Sequence, residues 1–339
     1  MKGKTIRIFL VEGTPNSILT AEIINWTGKV IVAPRSQLPE LASRIEAKRT
    51  GVYILAGDDP QNPLKERIYI GESDNVFKRL TEHNKDDNKD FWTRSVLIIS
   101  KDENLTKSHI RYLESKLIQL AQQAKRGTLD NNTAPGIPPL PESDTADMEF
   151  FLSQVQMLLP VLGFSFALPA PKPIPADEFI DRDNNIKPQN ISPIFYMKAS
   201  GAEAKAQEID GEFIVLRGST ARKESVKSLS KRGSELREQL IEEGKLINNQ
   251  DERYLVFRED IPFTSPSAAA DTIAGGSYNG RTAWKVIDTD KTYKEWQEIE
   301  IEKAEENNSV SENQLIPFQG DNEEVSVPYN IENNIESNR

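Results

Sequence analysis

The 339-residue chain has no cysteine and only two histidines, His83 and His109. The first absence rules out disulfides, thiolate metal sites and thiol nucleophiles, in keeping with a reducing cytoplasm. The second makes a multi-histidine metal cage implausible. No apolar run approaches the ~20 residues that a membrane-spanning helix needs. The opening MKGKTIRIFLVEG carries neither a long apolar stretch nor a small-residue cleavage site, so a cytoplasmic protein is expected. Internal repeats, phosphate-loop motifs and dinucleotide fingerprints are missing as well.

What is present is charge, unevenly spread. The net charge is −11, which taken whole argues against a nucleic-acid partner. Residues 1–130, however, hold 21 Lys+Arg against 17 Asp+Glu, whereas residues 297–339 hold 2 against 11. The N-terminal third is therefore free to approach phosphates. With 37% hydrophobic and 28% charged residues, the chain is expected to build two domains plus connectors.

Hydrophobic periodicity gives a coarse element order. KTIRIFLVEG reads as a strand, ILTAEIINW as a short helix and GKVIVAPRS as a strand. LPELASRIEAKRTG reads as an amphipathic helix closed by Gly51. VYILAG and ERIYIG form a hairpin, residues 74–83 a short helix with Asp74 as N-cap, and FWTRSVLIIS a further strand. A long helix from Leu105 to Arg126 stops at Gly127. Proline-rich connectors then flank an apolar helix that Pro160 ends. A second globular unit follows from near Ile194, with strands GEFIVLRGS and RYLVFRED around the charged helix GSELREQLIEEGK. The Glu- and Asn-rich tail is expected to be disordered.

Two helices carry chemistry-bearing side chains at core edges. In the long helix, Ile110, Leu113, Leu117, Leu120 and Ala124 form an apolar stripe, and Glu114 sits beside it. A carboxylate there needs a cation, a metal or hydrogen-bond donors. A structural ion pair would satisfy it equally well. In the short helix, Val76 and Leu80 set the apolar face, with Arg79 and His83 four residues apart alongside. Arginine suits a bidentate grip on phosphate, and histidine moves protons near neutral pH. His109 is placed on the flank of the long helix.

GVY at 51–53, YIG at 69–71, Arg79, His83, Glu114 within a helix and Asn131 beyond it occur in an order that resembles the GIY-YIG nuclease superfamily. The resemblance covers about residues 50–135, with Val52 where isoleucine is usual and a longer connection, residues 56–67, between the tripeptides. It implies a mixed sheet flanked by helices that hydrolyses DNA phosphodiesters with one divalent ion, Mg²⁺ or Mn²⁺, bound chiefly with substrate. By the same resemblance, Tyr53 and Tyr69 face the scissile phosphate, Tyr53 as general base or water-positioning group. Arg79 stabilises transition-state charge, His83 assists proton transfer or holds a phosphate, Glu114 is the metal ligand and Asn131 braces the site. RNA is not excluded as substrate, and a non-catalytic DNA-binding or assembly protein that keeps the fold is the alternative.

In the second unit, SPSAAADTIAGG reads as a helix capped by Ser265, started by Pro266 and ended by Gly275; NG at 279–280 turns into a strand holding Trp284. This stretch resembles a domain of unknown role found at the C-terminus of some nuclease-like bacterial proteins. Arg222, Lys223, Lys227, Lys231 and Arg232 form a basic cluster that could grip a DNA backbone. The expected fold is α+β, with a β/α extension (1–49), a nuclease unit (50–135), a connector with an apolar helix (136–193), a C-terminal α+β domain (194–296) and an acidic tail (297–339).

Overall fold

The computed structural model describes residues 3–62, 65–131, 135–169, 173 and 191–312, and of residues 307–312 only the helical backbone. The chain divides into two compact units, residues 1–172 and 173–339, and is of mixed α+β class.

Unit 1 contains β1 (Ile6–Leu10), β2 (Leu19–Ile23), β3 (Gly28–Pro34), α1 (Leu38–Ala42), β4 (Gly51–Asp58), β5 (Glu66–Ser73), α2 (Val76–His83), β6 (Arg94–Ser100), α3 (Lys107–Ala124), β7 (Thr128–Leu129) and α4 (Glu142–Val161). The strands form one seven-stranded sheet in the order β1-β2-β3-β6-β4-β5-β7, antiparallel except where β7 runs parallel to β5. Side chains of alternating direction build a core on each face. One face packs Val52, Ile54, Ile68 and Ile70 under α3 and α4, and the other packs Tyr53, Leu55, Leu97 and Ile99 under α1 and α2.

Three expectations fail here for identifiable reasons. ILTAEIINW is the strand β2, because Ala21 and Ile23 enter one core and Ile18 the other, while Asn25 takes a left-handed turn (φ 64°) that leads into β3. The segment 38–51 is a five-residue helix and a short 3-10 turn, Ile45–Lys48, broken where Arg44 becomes extended; Gly51 opens β4 instead of closing a helix. The cap of α2 is Asn75, whose side chain accepts from the Lys78 N–H, and Asp74 lies outside it. The long helix α3 is shorter than expected and ends on Lys125 in the left-handed region. The apolar helix, α4, is no connector: Phe151, Leu152, Val155 and Leu158 are core residues of unit 1. Pro160 lies in its last turn.

Unit 2 contains β8 (Ile191–Ala199), β9 (Ala202–Ile209), β10 (Glu212–Val215), β11 (Thr220–Arg222), α5 (Lys231–Glu242), β12 (Leu246–Asn248), β13 (Tyr254–Phe257), β14 (Ile261–Phe263), α6 (Pro266–Ala274), α7 (Gly280–Ala283), β15 (Lys285–Val286) and α8 (Tyr293–Glu312). Its sheets run β14-β10-β9-β8-β15 and β11-β13-β12. Ser265, Pro266 and Gly275 (φ 64°) take the expected cap, first-turn and C-cap places around α6. Asn279 instead caps α7, and Trp284 follows that helix, its indole N–H donating to the Pro266 carbonyl. Helix α8 carries the chain in regular structure to Glu312, past the expected start of the tail at 297; residues 313–339 lie outside the described residues.

Candidate active site

In the β4–β5 hairpin, Tyr53 stands opposite Gly71 and Leu55 opposite Tyr69. Cross-strand partners share a face, so both phenols project toward α2. Helix α2 is held there by buried Val76 and Leu80, which brings His83, also buried, onto the phenols. The Tyr53 hydroxyl lies 2.8 Å from His83 Nε2. Ring centroids are 5.5 Å apart for Tyr53 and His83, 5.2 Å for Tyr69 and His83, and 6.2 Å for the two tyrosines. Gly71 leaves the room this needs: a Cβ there would stand 2.3 Å from the Tyr53 hydroxyl.

The electrostatics keep this group uncharged apart from Arg79. Burial raises the Tyr53 phenol above its ordinary value, and the Tyr69 hydroxyl adds to the rise, while Arg79 opposes it. His83 is lowered to about 4, chiefly by burial and then by Arg79 and Lys89, so the imidazole is neutral at physiological pH. Arg79 is half-exposed and pairs with Glu82 at 2.7 Å, an exposed contact that a phosphate can replace.

Glu114 approaches from the other face of the sheet, on α3. It is partly buried, and its carboxyl is pushed up to about 7, first by burial and then by the Glu72 carboxylate; the Glu72 backbone N–H, Lys107 and Arg111 oppose the rise. Glu72 itself pairs with Lys107 at 2.6 Å and lies 3.6 Å from Arg111. Just inward along the same open edge of β5, Asn131 continues the β7 ladder with its side chain: Oδ1 accepts from the Ile70 N–H at 3.0 Å and Nδ2 donates to the Ile70 carbonyl at 2.8 Å. Glu72 follows Gly71 in the chain, so a carboxylate at its N–H and a phenol over Gly71 are within about 10 Å of one another.

The structure thus gathers Tyr53, Tyr69, Arg79 and His83 on one face, and sets Glu114 and Asn131 along the adjoining edge. His109 is elsewhere. It closes the N-terminus of α3, its Nδ1 accepting from the Thr106 N–H and its Nε2 lying 3.3 Å from Asp144. Sequence reasoning missed Glu72, Lys89 and Asp130. Strand alternation in YIGE could have found Glu72, since it must face away from Tyr69 and toward α3. Lys89, whose Nζ is 3.8 Å from the Tyr69 ring centre, is fixed by an ion pair with Asp130, which also holds Arg67. That network joins residues 41 and 63 apart in sequence, and no local pattern signals it.

Among the described residues no cluster of three or more His, Cys, Asp or Glu side chains is placed to hold a metal ion. A single carboxylate in a negative environment, with Glu72 beside it, nevertheless suits a hard cation that takes its other ligands from water and a substrate phosphate. In unit 2, Lys223, Lys227, Lys231 and Arg232 are exposed and Arg222 is partly so.

Residues 195–297 match the family described as domain of unknown function DUF4357, which covers less than a third of the chain. No curated protein and no solved structure matches the chain. No helix among the described residues is long and apolar enough to cross a membrane.

Proposed function

We propose that unit 1 is a divalent-metal-dependent endonuclease of the GIY-YIG type that hydrolyses DNA phosphodiester bonds. The observation that carries this reading is the Tyr53–His83 contact over Gly71, with Arg79 on one side and the uncompensated Glu114 at the adjoining edge. Structural ion pairs lower a carboxylate; here the carboxylate is raised, and a cation would relieve it.

Glu114 would hold Mg²⁺ or Mn²⁺, with Glu72 close enough to add to the field. The ion would supply charge neutralisation at the scissile phosphate and a bound leaving-group oxygen. Arg79 would leave Glu82 for the phosphate and stabilise the charge that builds on it. Tyr53 stays protonated because burial disfavours its phenolate, so its role is to orient the attacking water and pass a proton to His83. His83, neutral and accepting through Nε2, is the better base of the pair. Tyr69 closes the pocket, held by Lys89. Asn131 keeps β5 in register where no strand covers its edge.

The test is nicking of supercoiled plasmid in Mg²⁺ or Mn²⁺ by the full chain and by Glu114→Ala, with RNA of matched sequence in parallel. Metal-dependent nicking that Glu114→Ala abolishes supports the reading. Equal nicking by both proteins, or by neither across duplex, nicked and branched DNA, overturns it; retained DNA binding without cleavage would leave a non-catalytic DNA-binding protein.

A further inference from the structure

The outer strand of the seven-stranded sheet, β1, has no partner on its far side among the described residues. Its hydrogen bonds to β2 fix which groups face that side. The Val11 N–H donates to the Ile18 carbonyl and the Thr5 carbonyl accepts from the Ile24 N–H, so odd-numbered residues bond to β2. The N–H and C=O groups of Ile6, Ile8 and Leu10 therefore point outward. Natural edge strands are normally blunted by charge, proline or a bulge. This one carries a single charged residue, Arg7, and leaves Ile8 47% and Phe9 62% exposed.

The apolar surface does not end at the strand. Lys4 Nζ donates to Gln154 Oε1 at 2.7 Å, which sets α4 beside the start of β1. Phe150, Met157 and Val161 recur at helical spacing on that same Gln154 flank of α4, and all three are exposed. Ile6, Ile8 and Leu10 lie opposite Ile23, Ala21 and Leu19, on the face that α4 covers. Strand edge and helix stripe are one continuous patch.

We propose that a second copy of this chain docks on this edge, β1 running antiparallel to the partner's β1 with Ile8 on the two-fold axis, so that the two sheets become one. The sequence of the strand selects this partner and this register. With Ile8 opposite itself, Ile6 meets Leu10 twice on the α4 face, and all outward N–H and C=O groups pair. The same register sets Lys4 of each copy against Glu12 of the other, charges whose present partners, Gln154 and Gln37, are neutral. A shift of two residues either way keeps the backbone parity but places Lys4 against Leu10 or Glu12 against Ile6, losing the ion pairs. On the opposite face Phe9 meets Arg7, an arginine–aromatic contact. The two α4 stripes approach each other across the axis.

Sedimentation of the full chain at about 50 µM, well above the dissociation constant expected of a specific interface, is predicted to give twice the 38.2 kDa monomer mass. Ile8→Glu, at an exposed position, sets two carboxylates together on the axis and is expected to give a monomer with an unchanged circular-dichroism spectrum. Lys4→Glu or Glu12→Lys alone should weaken the dimer roughly tenfold, since each pair occurs twice, and the double reversal should restore it to within about threefold. A monomeric wild type overturns the proposal, as does dimerisation that Ile8→Glu leaves intact. If removing residues 313–339 converts a monomeric wild type into a dimer, the tail rather than a second copy covers the edge, and the proposal fails in that way too. The dimer and its charge-reversal rescue do not depend on cleavage activity, so failure here is distinct from failure of the nuclease reading.

Discussion

Tyr53 occupies the space that a side chain at Gly71 would fill: a Cβ on Gly71 would stand 2.3 Å from the phenol oxygen and 2.5 Å from the ring carbon that bears it. The glycine of the second tripeptide is thus explained by the tyrosine of the first. Gly71→Ala cannot be absorbed by turning Tyr53 aside, because that ring is 1% exposed in a filled core. The variant is expected to lose about 1–3 kcal/mol of stability by overpacking, read as a lower denaturation midpoint, and to lose cleavage along with it.

Glu114 carries a stability cost. Its folded value of about 7 lies above the ordinary 4.5, so the folded state binds the extra proton between those values and stability falls as pH rises through that window. Glu114→Gln should match the wild type near pH 4.5 and exceed it at pH 8, by about 1 kcal/mol after allowance for solvent screening at this half-exposed position. Denaturation at the two pH values checks it; a carboxylate kept for structure would give the opposite sign.

His83 slopes the other way. The unfolded imidazole takes its proton near 6.5 and the folded one only near 4, so the unfolded state binds more protons between them and stability falls as pH drops through that range. His83→Gln should lose this slope. The measurement is the difference in unfolding free energy between the two proteins from pH 7 to pH 4.5.

Asn131 makes two hydrogen bonds to one residue of β5, at an edge no strand covers. Asn131→Leu leaves the Ile70 N–H and carbonyl without those partners and should cost about 2 kcal/mol. Amide exchange at Ile70 should accelerate more than at Ile54, which sits between two strands.

The hairpin, α2, β6 and α3 could be read from the sequence because each has one dominant period and clear terminal residues. Ser265, Pro266 and Gly275 were equally legible, since caps are local chemistry. β2 was misread because ILTAEIIN contributes to cores on both sides of the sheet, which hides its alternation. The core role of α4 was hidden by prolines on either side that suggested a linker. At the site, Tyr53, Tyr69, Arg79, His83, Glu114 and Asn131 were found by their order along the chain. Their division between a face and an edge, the neutral His83 and the second carboxylate Glu72 depend on pairing across the sheet, which spacing does not report.

The most direct test of the account is single-turnover cleavage of an end-labelled DNA duplex in Mg²⁺ by wild type, Arg79→Ala and Glu114→Gln, with binding to the same duplex measured in Ca²⁺. The account predicts that each substitution slows cleavage by roughly 100-fold or more while affinity changes by no more than about threefold, as befits groups that act on the transition state. Cleavage at the wild-type rate by either variant, or a loss of rate matched by an equal loss of binding, would contradict it.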